Sequence, residues 1–374
     1  MKIVIDARMY GLENAGIGRY LVNLINQIEK IDEENKYLIL LREKYYRSLV
    51  FKNKNFFKIL ANYPHYSFQE QIFLPIQLFK LKPNLVHFPH FNIPLFWWGK
   101  FVVTIHDLIK KESKGTKTTT RAPFFYWVKY YVHLFLINQA VKKSVKIITP
   151  SYYWQKELVK IYSIPKNKIE VTYEGVDENL LNKKNDLNPQ KILQKYKIKK
   201  PFVVYTGSLY PHKNVERLVG AVKKINQGLN LVVVCARNVF YERFKKAVGK
   251  IGAQNFVNLV GFVPDEDLAS LYQQAEAFVF PSFWEGFGLP GLEAMATGLP
   301  VISSNASCLP EIYGEAALYF NPLDTNDIAE KIAMVVGNKA KQKDLIEKGL
   351  VQVKKYSWQK MARETLQVYE SYAR

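Results

Sequence analysis

The chain has 374 residues, 48% of them hydrophobic, and a formal net charge of +20. That length exceeds what one hydrophobic core usually supports and predicts two domains, while two cysteines in no metal-ligand spacing, Cys235 and Cys308, exclude a disulfide framework and a zinc site and favour a reducing compartment. The opening MKIVIDARMY lacks the features of a signal peptide and no apolar run reaches 18 residues, which argues against secretion and a membrane span and predicts a cytoplasmic protein.

The first half of the chain alternates strand-like apolar runs with segments of helical spacing. KIVID opens the pattern, and apolar residues at helical spacing predict a helix over residues 17–30. Further strands are predicted at KYLILL, FFKIL, NLVHF, KFVVTIH, VKIIT and IEVTY, with helices near residues 68–80, 122–143 and 151–162. This alternation predicts a doubly wound parallel sheet.

The second half repeats that organisation after a polar stretch, DENLLNKKNDLNPQ, at residues 177–190, which predicts a linker. Strands are then predicted at PFVVYTG, LNLVVVCA, FVNLVG, AFVFPS, PVISS and ALYF. The predicted fold class is α/β, with two Rossmann-like, doubly wound parallel-sheet domains facing a central cleft. Their predicted bounds are 1–175 and 190–357, with a terminal helix at 358–374 crossing back onto the first domain.

The stretch FWEGFGLPGLEAMATGLPV, residues 283–301, combines glycine and carboxylate at the carboxyl end of a predicted strand. Pro290 suits a first helical position, which predicts Glu293 in the first helical turn and Glu285 in the loop before it. Backbone N–H groups of Phe287, Gly288 and Leu289 are then expected to point at a ligand, with the helix dipole behind them. Paired carboxylates of this kind accept hydrogen bonds from the vicinal hydroxyls of sugars.

Three other segments also place polar groups after predicted strands. In TGSLYPHKN, residues 206–214, a strand leads into a helix predicted to begin at Asn214, so that Lys213 provides a point charge for a diphosphate. His106 ends the predicted strand KFVVTIH. The GIGRY segment offers Gly16 in a glycine loop before a helix, which by itself is a weak indication of phosphate binding because it lacks the full dinucleotide fingerprint.

These segments together resemble a known family. E-G-F-G-L-P-G-L-E, residues 285–293, is similar to the Glu-x7-Glu motif of retaining family 4 glycosyltransferases, which have two Rossmann-like domains in the GT-B arrangement. Other segments agree in order: GIGRY (16–20), THDL (104–107), TPS (149–151), GVD (175–177), TGSLYPHKN (206–214), VGFVPDEDLASLY (260–272) and YSW (356–358). The resemblance extends over nearly the whole chain and is closest to the bacterial mannosyltransferases that build O-polysaccharide chains.

The resemblance implies roles for individual residues around the donor. Glu285 would contact the hydroxyls of the donor hexose, and Glu293 the ribose of the nucleotide. The backbone at Phe287, Gly288 and Leu289 would hold the sugar and the phosphates. These roles divide the two glutamates between the two sugars of a nucleotide-sugar.

The resemblance also assigns positions outside that loop. Gly16 would let its loop close over the donor phosphates, and His106 would lie beside the donor hexose and the acceptor. Ser208 occupies a position where many relatives have an arginine, which leaves phosphate binding to Lys213 with help from the backbone. Phe262 and Val263 would line the base pocket.

Asp265-Glu266-Asp267 matches D-x-D, the metal motif of the other large glycosyltransferase fold. Pro264 precedes these acids and an apolar helical pattern follows them, so we interpret them as the N-terminus of a helix, where the helix dipole favours negative charge. The sequence therefore predicts no catalytic metal and no other cofactor.

The resemblance implies a retaining transferase that moves a hexose from a nucleoside-diphosphate sugar to a glycan or lipid-linked acceptor. GDP-mannose is the preferred donor, with a UDP-hexose as the alternative, and same-face attack would let the leaving phosphate take the acceptor proton. Two rival functions are a nucleic-acid-binding protein and a phosphorylase-like enzyme. The charge favours a nucleic-acid-binding protein, but no known recognition motif is present and no nucleic-acid partner is predicted. A phosphorylase-like enzyme would need a pyridoxal-phosphate lysine that nothing singles out.

Residues 51–150 hold 15 basic and 3 acidic residues, a balance of +12. Five of the basic residues lie between Lys110 and Arg121, just before an aromatic helical stretch that runs to Phe135. One interpretation is docking on an anionic membrane surface at the inner face of the plasma membrane, where each lysine or arginine contributes about 1 kcal/mol. The other is a core helix of the first domain preceded by a basic loop.

Overall fold

The computed structural model describes residues 1–112, 123–177, 180, 189–225, 228–235 and 239–373. The chain forms two compact units. The first unit contains Met1–Lys111, Arg121–Gly175 and Trp358–Arg374, and the second contains Val176–Ser357. Most of the predicted linker at 177–190 lies outside the described residues.

The first unit is built on a seven-stranded sheet. Its strands are β1 (Lys2–Asp6), β2 (Lys36–Leu41), β3 (Phe56–Leu60), β4 (Leu85–Phe88), β5 (Phe101–Thr104), β6 (Lys146–Thr149) and β7 (Ile169–Val171). Its helices up to this point in the chain are α1 (Ala15–Ile31), α2 (Glu43–Ser48), α3 (Phe68–Leu81), α4 (Ile109–Glu112), α5 (Pro123–Lys143) and α6 (Tyr152–Tyr162). All strand pairs are parallel, in the order β3-β2-β1-β4-β5-β6-β7.

The second unit is built on a six-stranded sheet. Its strands are β8 (Phe202–Thr206), β9 (Asn230–Val234), β10 (Val257–Gly261), β11 (Ala277–Phe280), β12 (Val301–Ser304) and β13 (Ala317–Phe320). Its helices are α7 (Pro189–Lys195), α8 (Val215–Ile225), α9 (Val239–Ile251), α10 (Asp265–Tyr272), α11 (Leu289–Ala296), α12 (Leu309–Tyr313), α13 (Thr325–Val335) and α14 (Lys339–Val353). The strands are again parallel, in the order β10-β9-β8-β11-β12-β13.

Both sheets are therefore doubly wound, as the alternation of apolar runs predicts. Strand order reverses between β1 and β4 in the first unit and between β8 and β11 in the second. At such a reversal the loops leave toward opposite faces of the sheet, which opens a crevice at the carboxyl ends of the strands. Lys213 and Glu285, which were predicted from the sequence, lie in the loops after β8 and β11.

Helices cover both faces of the first sheet because right-handed crossovers fix the side on which each helix packs. The connections that lead into β4, β6 and β7 place α3, α5 and α6 on one face of the sheet. There Leu74, Ile137 and Trp154 join the core of buried strand residues. The opposite face carries α1 and the last helix of the chain, α15 (Trp358–Ala373), which pack against each other. The hydroxyl of Tyr369 in α15 lies 2.6 Å from Nδ1 of His87 in β4.

A buried charge cluster follows β1 in the first unit. The Arg8 guanidinium donates to both carboxylate oxygens of Asp6, at 2.7 and 2.6 Å, and to Oε1 of Glu70 in α3 at 2.7 Å. Asn92 donates to both oxygens of Glu70 at 2.8 and 2.7 Å. Burial by itself would raise the pKa of Asp6 and of Glu70, but Arg8 and the hydrogen bonds outweigh it, and both pKa values are lowered. We call these groups the Arg8 cluster.

The sequence predicts neither a disulfide nor a membrane-spanning helix, and the described residues bear on both points. Cys235 and Cys308 are both buried, and neither forms a disulfide. In the part of the chain that the structure describes, no helix combines the length and the apolar character needed to cross a bilayer.

Candidate functional site

The loops after β8 and β11 form the candidate site of the second unit. These strands are neighbours at the point where strand order reverses, so the residues that follow them lie close together although they are far apart in sequence. The β8 loop contains Ser208 and Lys213, and the β11 loop contains Glu285.

An ion pair joins the two loops. Nζ of Lys213 lies 2.7 Å from both Oε1 and Oε2 of Glu285, and both side chains are largely buried. A buried charge is stable only when paired, so each group fixes the position of the other. The pair thus places one cation and one carboxylate side by side beyond the carboxyl ends of β8 and β11, a pair of groups that suits a ligand with both phosphate and hydroxyl groups.

Lys213 lies in a short 3-10 turn, Pro211–Lys213, and not directly against a helix. The following helix, α8, begins at Val215, because Asn214 adopts a left-handed conformation with φ of 57°. The sequence prediction that Asn214 begins this helix was therefore wrong by one residue. The Asn214 amide donates to the carbonyls of Pro281 at 3.0 Å and Pro322 at 2.8 Å, which ties the lysine turn to the strand ends.

The backbone of Glu285 is held by the loop between β12 and α12. Its N–H donates to Oγ of Ser307 at 3.3 Å, and the Ser307 hydroxyl donates to the Glu285 carbonyl at 3.1 Å. Sγ of Cys308 lies 3.3 Å from the same carbonyl. Sequence reasoning missed both residues, since nothing in the segment SNASC signals contact with a loop more than 20 positions away.

Two glycines let the β11 loop approach Tyr313 of α12. The Tyr313 hydroxyl donates to the Gly288 carbonyl at 2.6 Å. Gly288 has a φ of +99°, and a Cβ built there would lie 2.7 Å from the tyrosine oxygen. A Cβ at Gly291 would overlap the same oxygen. The glycines are thus required by packing under the loop as well as by the conformation of the loop itself.

The helix after this loop begins at Leu289, with Gly288 as its N-cap. Pro290 is therefore the second helical residue, and Glu293 is the fifth, beyond the first turn. Both predicted positions were wrong by about one residue, because the glycine conformation lets the helix start before the proline. The first N–H groups of α11 still lack partners within the helix, as at any helix start, and they include that of Leu289. The Phe287 side chain is buried, with its ring 5.5 Å from that of Tyr356.

The remaining predicted donor residues of the second unit follow β8 and β10. The Ser208 carbonyl accepts a hydrogen bond from the Tyr205 hydroxyl at 2.6 Å, so its backbone is fixed. Phe262 and Val263 directly follow β10, and they differ in burial: Phe262 is exposed and Val263 is buried. Of these two side chains, the Phe262 ring is therefore the one that is open to a ligand.

His106 lies in the first unit, in the loop after β5. That strand ends at Thr104, so the prediction that His106 itself ends the strand was wrong. Nδ1 of His106 lies 3.2 Å from Oε1 of Glu174, and Nε2 lies 3.2 Å from the Pro89 carbonyl. A carbonyl and a carboxylate both accept hydrogen bonds, so each contact requires a hydrogen on the ring nitrogen that faces it.

Glu174 was not predicted from the sequence, although it directly precedes the GVD segment. It is 68 positions from His106 and is buried beside it. The signal that could have found it is the register of the sheet, because β7 is two strands from β5 and both loops leave at the same edge.

Gly16 is the second residue of α1 and is exposed, with no atom within 4 Å of a built Cβ. The neighbouring Gly18 differs, because a Cβ there would overlap the Gly11 carbonyl. Gly18 is thus required for packing, while the backbone at Gly16 is open to approach by a ligand.

Two family models match the chain. The model described as Glycosyltransferase Family 4 matches residues 15–180, and the model described as Glycosyl transferases group 1 matches residues 189–351. Together they account for most of the sequence. The chain is a glycosyltransferase, and its first half matches the family 4 model.

Relatives of this glycosyltransferase include two bacterial proteins named as mannosyltransferases. O-antigen chain mannosyltransferase B of Escherichia coli is 28% identical over 294 residues, which are 77% of this chain and 74% of that protein. O-antigen chain mannosyltransferase RfbU of Salmonella typhimurium is 30% identical over 244 residues, which are 64% of this chain and 62% of that protein. The match to the second relative thus spans slightly less than two thirds of its length.

The fold of the glycosyltransferase has close structural counterparts. The crystal structure of HepE from Anabaena in complex with UDP-glucose matches it with a TM-score of 0.75 and 16% identity, over 99% of this chain and 100% of that one. Identity at this level shows the fold alone. The two parallel-sheet α/β domains of the glycosyltransferase are therefore of the GT-B class, as the sequence resemblance implies.

The acidic triplet of the glycosyltransferase lies at the start of a helix, as the sequence predicts. Asp265, Glu266 and Asp267 are the first three residues of α10. Oδ2 of Asp267 accepts hydrogen bonds from Nζ of Lys195 at 2.5 Å and from the Tyr196 hydroxyl at 2.6 Å. The carboxylate that a metal motif would need is thus engaged by a cation and a phenol. Within the described ranges, no group of three or more His, Cys, Asp or Glu residues is arranged to hold a metal ion.

Proposed function

We propose that the protein transfers a hexose, with retention of configuration, from a nucleoside-diphosphate sugar to a glycan or lipid-linked acceptor in the assembly of a cell-surface polysaccharide. The observation that carries this proposal is the Lys213–Glu285 pair at the carboxyl ends of adjacent strands. A cation beside a carboxylate suits a sugar phosphate, because the lysine binds phosphate oxygens and the carboxylate accepts sugar hydroxyls.

The proposed donor is GDP-mannose, and a UDP-hexose is the alternative. Two relatives of the chain are named O-antigen mannosyltransferases, which supports mannose. HepE of Anabaena, whose fold matches, forms a complex with UDP-glucose, which supports a nucleotide-sugar in general and keeps the UDP-hexose as the second candidate.

We assign the donor groups as follows. Glu285 accepts the hexose hydroxyls, Lys213 and the backbone of Phe287, Gly288 and Leu289 bind the diphosphate, and Glu293 accepts the ribose hydroxyls. Ser208 adds to the phosphate site, and Phe262 and Val263 line the base pocket. In the first unit, Gly16 approaches the phosphates and His106, oriented by Glu174, lies beside the hexose and the acceptor.

In the proposed reaction the acceptor oxygen attacks the anomeric carbon on the face that the diphosphate leaves. The acceptor proton passes to the leaving phosphate oxygen, so no protein carboxylate forms a covalent intermediate. The protein stabilises the separated charges: Lys213 lies toward the departing phosphate, and Glu285 toward the sugar. Fixed charges in a largely buried site do this without reorganisation at the moment of reaction.

A thermal-shift panel of GDP, UDP, ADP and their sugars tests the proposal. A ligand at 100 times its dissociation constant stabilises the folded protein by about 2.7 kcal/mol, which is a clear shift in Tm. Stabilisation by GDP and GDP-mannose above the others would support the preferred donor, and stabilisation by UDP and a UDP-hexose would support the alternative. No shift with any nucleotide would contradict a nucleotide-sugar donor.

Replacing Lys213 by alanine is expected to weaken binding of the nucleoside diphosphate far more than binding of the nucleoside, because only the diphosphate meets the ammonium group. The effect would be of the size of one hydrogen bond to a charged group, about 1.5–3 kcal/mol. Titration calorimetry of both ligands measures it, with the exposed Lys343→Ala in α14 as the matched control. Equal losses for the two ligands would remove Lys213 from the phosphate site.

Hexose transfer is expected to survive chelation by EDTA. Asp267 already has Lys195 and Tyr196 as hydrogen-bond partners, which hold its pKa below the ordinary value and make it a structural carboxylate of the α7–α10 contact. Transfer rates measured before and after chelation decide the point. A complete loss of activity that manganese or magnesium restores would overturn this interpretation of the acidic triplet.

A further inference from the structure

One face of the first unit exposes large apolar side chains along α3. Phe68, Ile72, Ile76 and Phe79 recur every three or four residues and all point to solvent, and Phe68 is 90% exposed. The opposite side of α3 carries the buried Leu74 and Leu78. The helix is therefore apolar on both sides, which is typical of a helix that has a second apolar environment beyond its own core.

The exposed surface continues from α3 through the loop before β5. Trp98 is 79% exposed, and its ring lies 6.1 Å from that of Phe79. In the same loop Phe96 is exposed, while the Leu95 carbonyl accepts a hydrogen bond from Lys143 at the end of α5. The loop thus connects the solvent sides of α3 and α5.

The solvent side of α5 completes the surface. Trp127, Tyr131 and Phe135 recur every four residues and are exposed, with Val128 and Val132 beside them. Nζ of Lys129 lies 5.5 Å from the ring centroid of Tyr66, just before α3. We call the exposed apolar residues of α3, of α5 and at positions 96 and 98 the aromatic face.

The charges around the aromatic face have one sign. Six exposed lysines belong to α3, α5 and the segments that connect them: Lys80, Lys82, Lys100, Lys129, Lys142 and Lys143. Within α3, α5 and residues 89–100 the sequence contains one carboxylate, Glu70, and it is buried in the Arg8 cluster. No acid on these segments therefore offsets the positive field at this face.

We propose that the aromatic face docks the protein on an anionic lipid bilayer, with its aromatic rings at the level of the headgroups and its lysines against the lipid charges. Aromatic and aliphatic side chains fringed by lysines fit such an interface. Protein interfaces, in contrast, are depleted of lysine, and two copies joined through this face would oppose six lysines with six. The proposal goes beyond the transfer reaction and does not depend on it.

The aromatic face differs from the docking surface predicted from the sequence, which was centred on the basic stretch from Lys110 to Arg121. The basic stretch before α5 includes Lys114 and Lys117, which lie outside the described residues. Lys110 is half-buried, and burial together with the neighbouring Lys129 lowers its pKa to about 8. Lys111 lies over the ring of Tyr162, 5.4 Å from its centroid. The apolar groups of α3 and Trp98, which the sequence did not single out, carry the contact instead.

Sedimentation with vesicles tests the proposal. The whole protein is expected to bind phosphatidylcholine vesicles that contain phosphatidylglycerol, and not vesicles of phosphatidylcholine alone. Rising salt should weaken the binding but not abolish it, because salt screens charges and not apolar burial. The binding that remains at high salt is due to apolar contact. Replacing Lys80, Lys82 and Lys129 by glutamine should lower binding at low salt and leave the binding at high salt unchanged.

The double variant Phe68→Ser/Trp98→Ser is expected to lower the partition coefficient by about 10-fold or more at every salt concentration. Its matched control is Leu323→Ser/Val351→Ser, which removes apolar side chains of the second unit that are 66% and 63% exposed. Both variants should keep the Tm of the parent, since substitutions at exposed positions seldom alter stability.

Four outcomes would overturn the proposal. The parent protein binds no vesicles, or it binds neutral and anionic vesicles equally. The Phe68→Ser/Trp98→Ser variant binds as the parent does. Sedimentation velocity shows a dimer of the parent that this variant, and not the control, dissociates, in which case the aromatic face joins two copies of the chain. All of these readouts are independent of donor and acceptor, so failure here and failure of the proposed transfer are distinguishable.

Discussion

Replacing Glu285 by glutamine is expected to lower kcat for hexose transfer by about 10²–10³-fold, the loss typical of removing one preorganised electrostatic group. Glutamine keeps the shape of the side chain and can still accept from Lys213, so the loop should keep its position while the charge is lost. The affinity for free nucleoside diphosphate should change little, because this carboxylate is assigned to the hexose. Steady-state kinetics and calorimetry on the same preparation measure both quantities.

The matched control is Glu293→Ala, at the fifth residue of α11. It should weaken nucleotide binding by about 1–3 kcal/mol through the lost ribose contact and leave kcat at saturating donor close to the parental value. The two glutamates are thus separated by which kinetic parameter changes. Parental transfer rates in both variants would contradict the assignment of either glutamate to the donor.

Replacing Arg8 by alanine is expected to lower the free energy of unfolding of the first unit by about 3–5 kcal/mol, because it leaves the carboxylates of Asp6 and Glu70 buried without their cation. Both side chains are essentially inaccessible to water, so solvent cannot replace the lost interaction. Denaturant unfolding followed through the first unit measures the loss.

The control for Arg8 is Arg47→Ala, which breaks the exposed pair with Glu43 in α2. Exposed pairs contribute between zero and about 1 kcal/mol, so this variant should be close to the parent. A loss for Arg8→Ala no larger than the loss for Arg47→Ala would show that the Arg8 cluster does not stabilise the fold.

The Arg8 cluster also predicts a direction for the pH dependence of stability. The pKa values of Asp6 and Glu70 are lowered in the folded state, so the unfolded chain binds protons first as the pH falls. The stability that these groups contribute is complete above their unfolded pKa values, near 4, and is lost as the pH falls through the lower folded values. In Arg8→Ala this acid-induced loss should be smaller, because the carboxylates no longer gain from ionisation.

The strands and most helices could be predicted because their signals are local. β1, β2, β3 and α3 lie within about one residue of their predicted bounds, since apolar runs and helical spacing are properties of neighbouring residues. The last helices of the second unit, α13 and α14, were not predicted. Helix α11 starts one residue before the predicted position, because Gly288 adopts a positive φ. That conformation accompanies packing against Tyr313, which the sequence does not reveal.

The candidate site was predictable where a motif marks it and not where the fold assembles it. Glu285 and Lys213 could be singled out separately, but their pairing spans 72 positions and follows from the adjacency of β8 and β11. Glu174 gave no local signal, because a glutamate before GVD looks like any surface residue until β5 and β7 are placed in one sheet. The exposure of α3 was equally hidden, since an apolar stripe in sequence predicts burial.

The first unit is built from segments of the chain that lie on both sides of the second unit in sequence, and α15 is the segment that follows it. α15 packs on α1, and its Tyr369 reaches His87, 282 positions earlier in the sequence. During synthesis on the ribosome, all strands of the first sheet emerge long before the helix that covers one of its faces, whereas the second unit emerges complete in between. The nascent first sheet must therefore wait, with the apolar side of α1 uncovered, until α15 has been made, and a chain that stops before α15 would present that surface to chaperones and proteases.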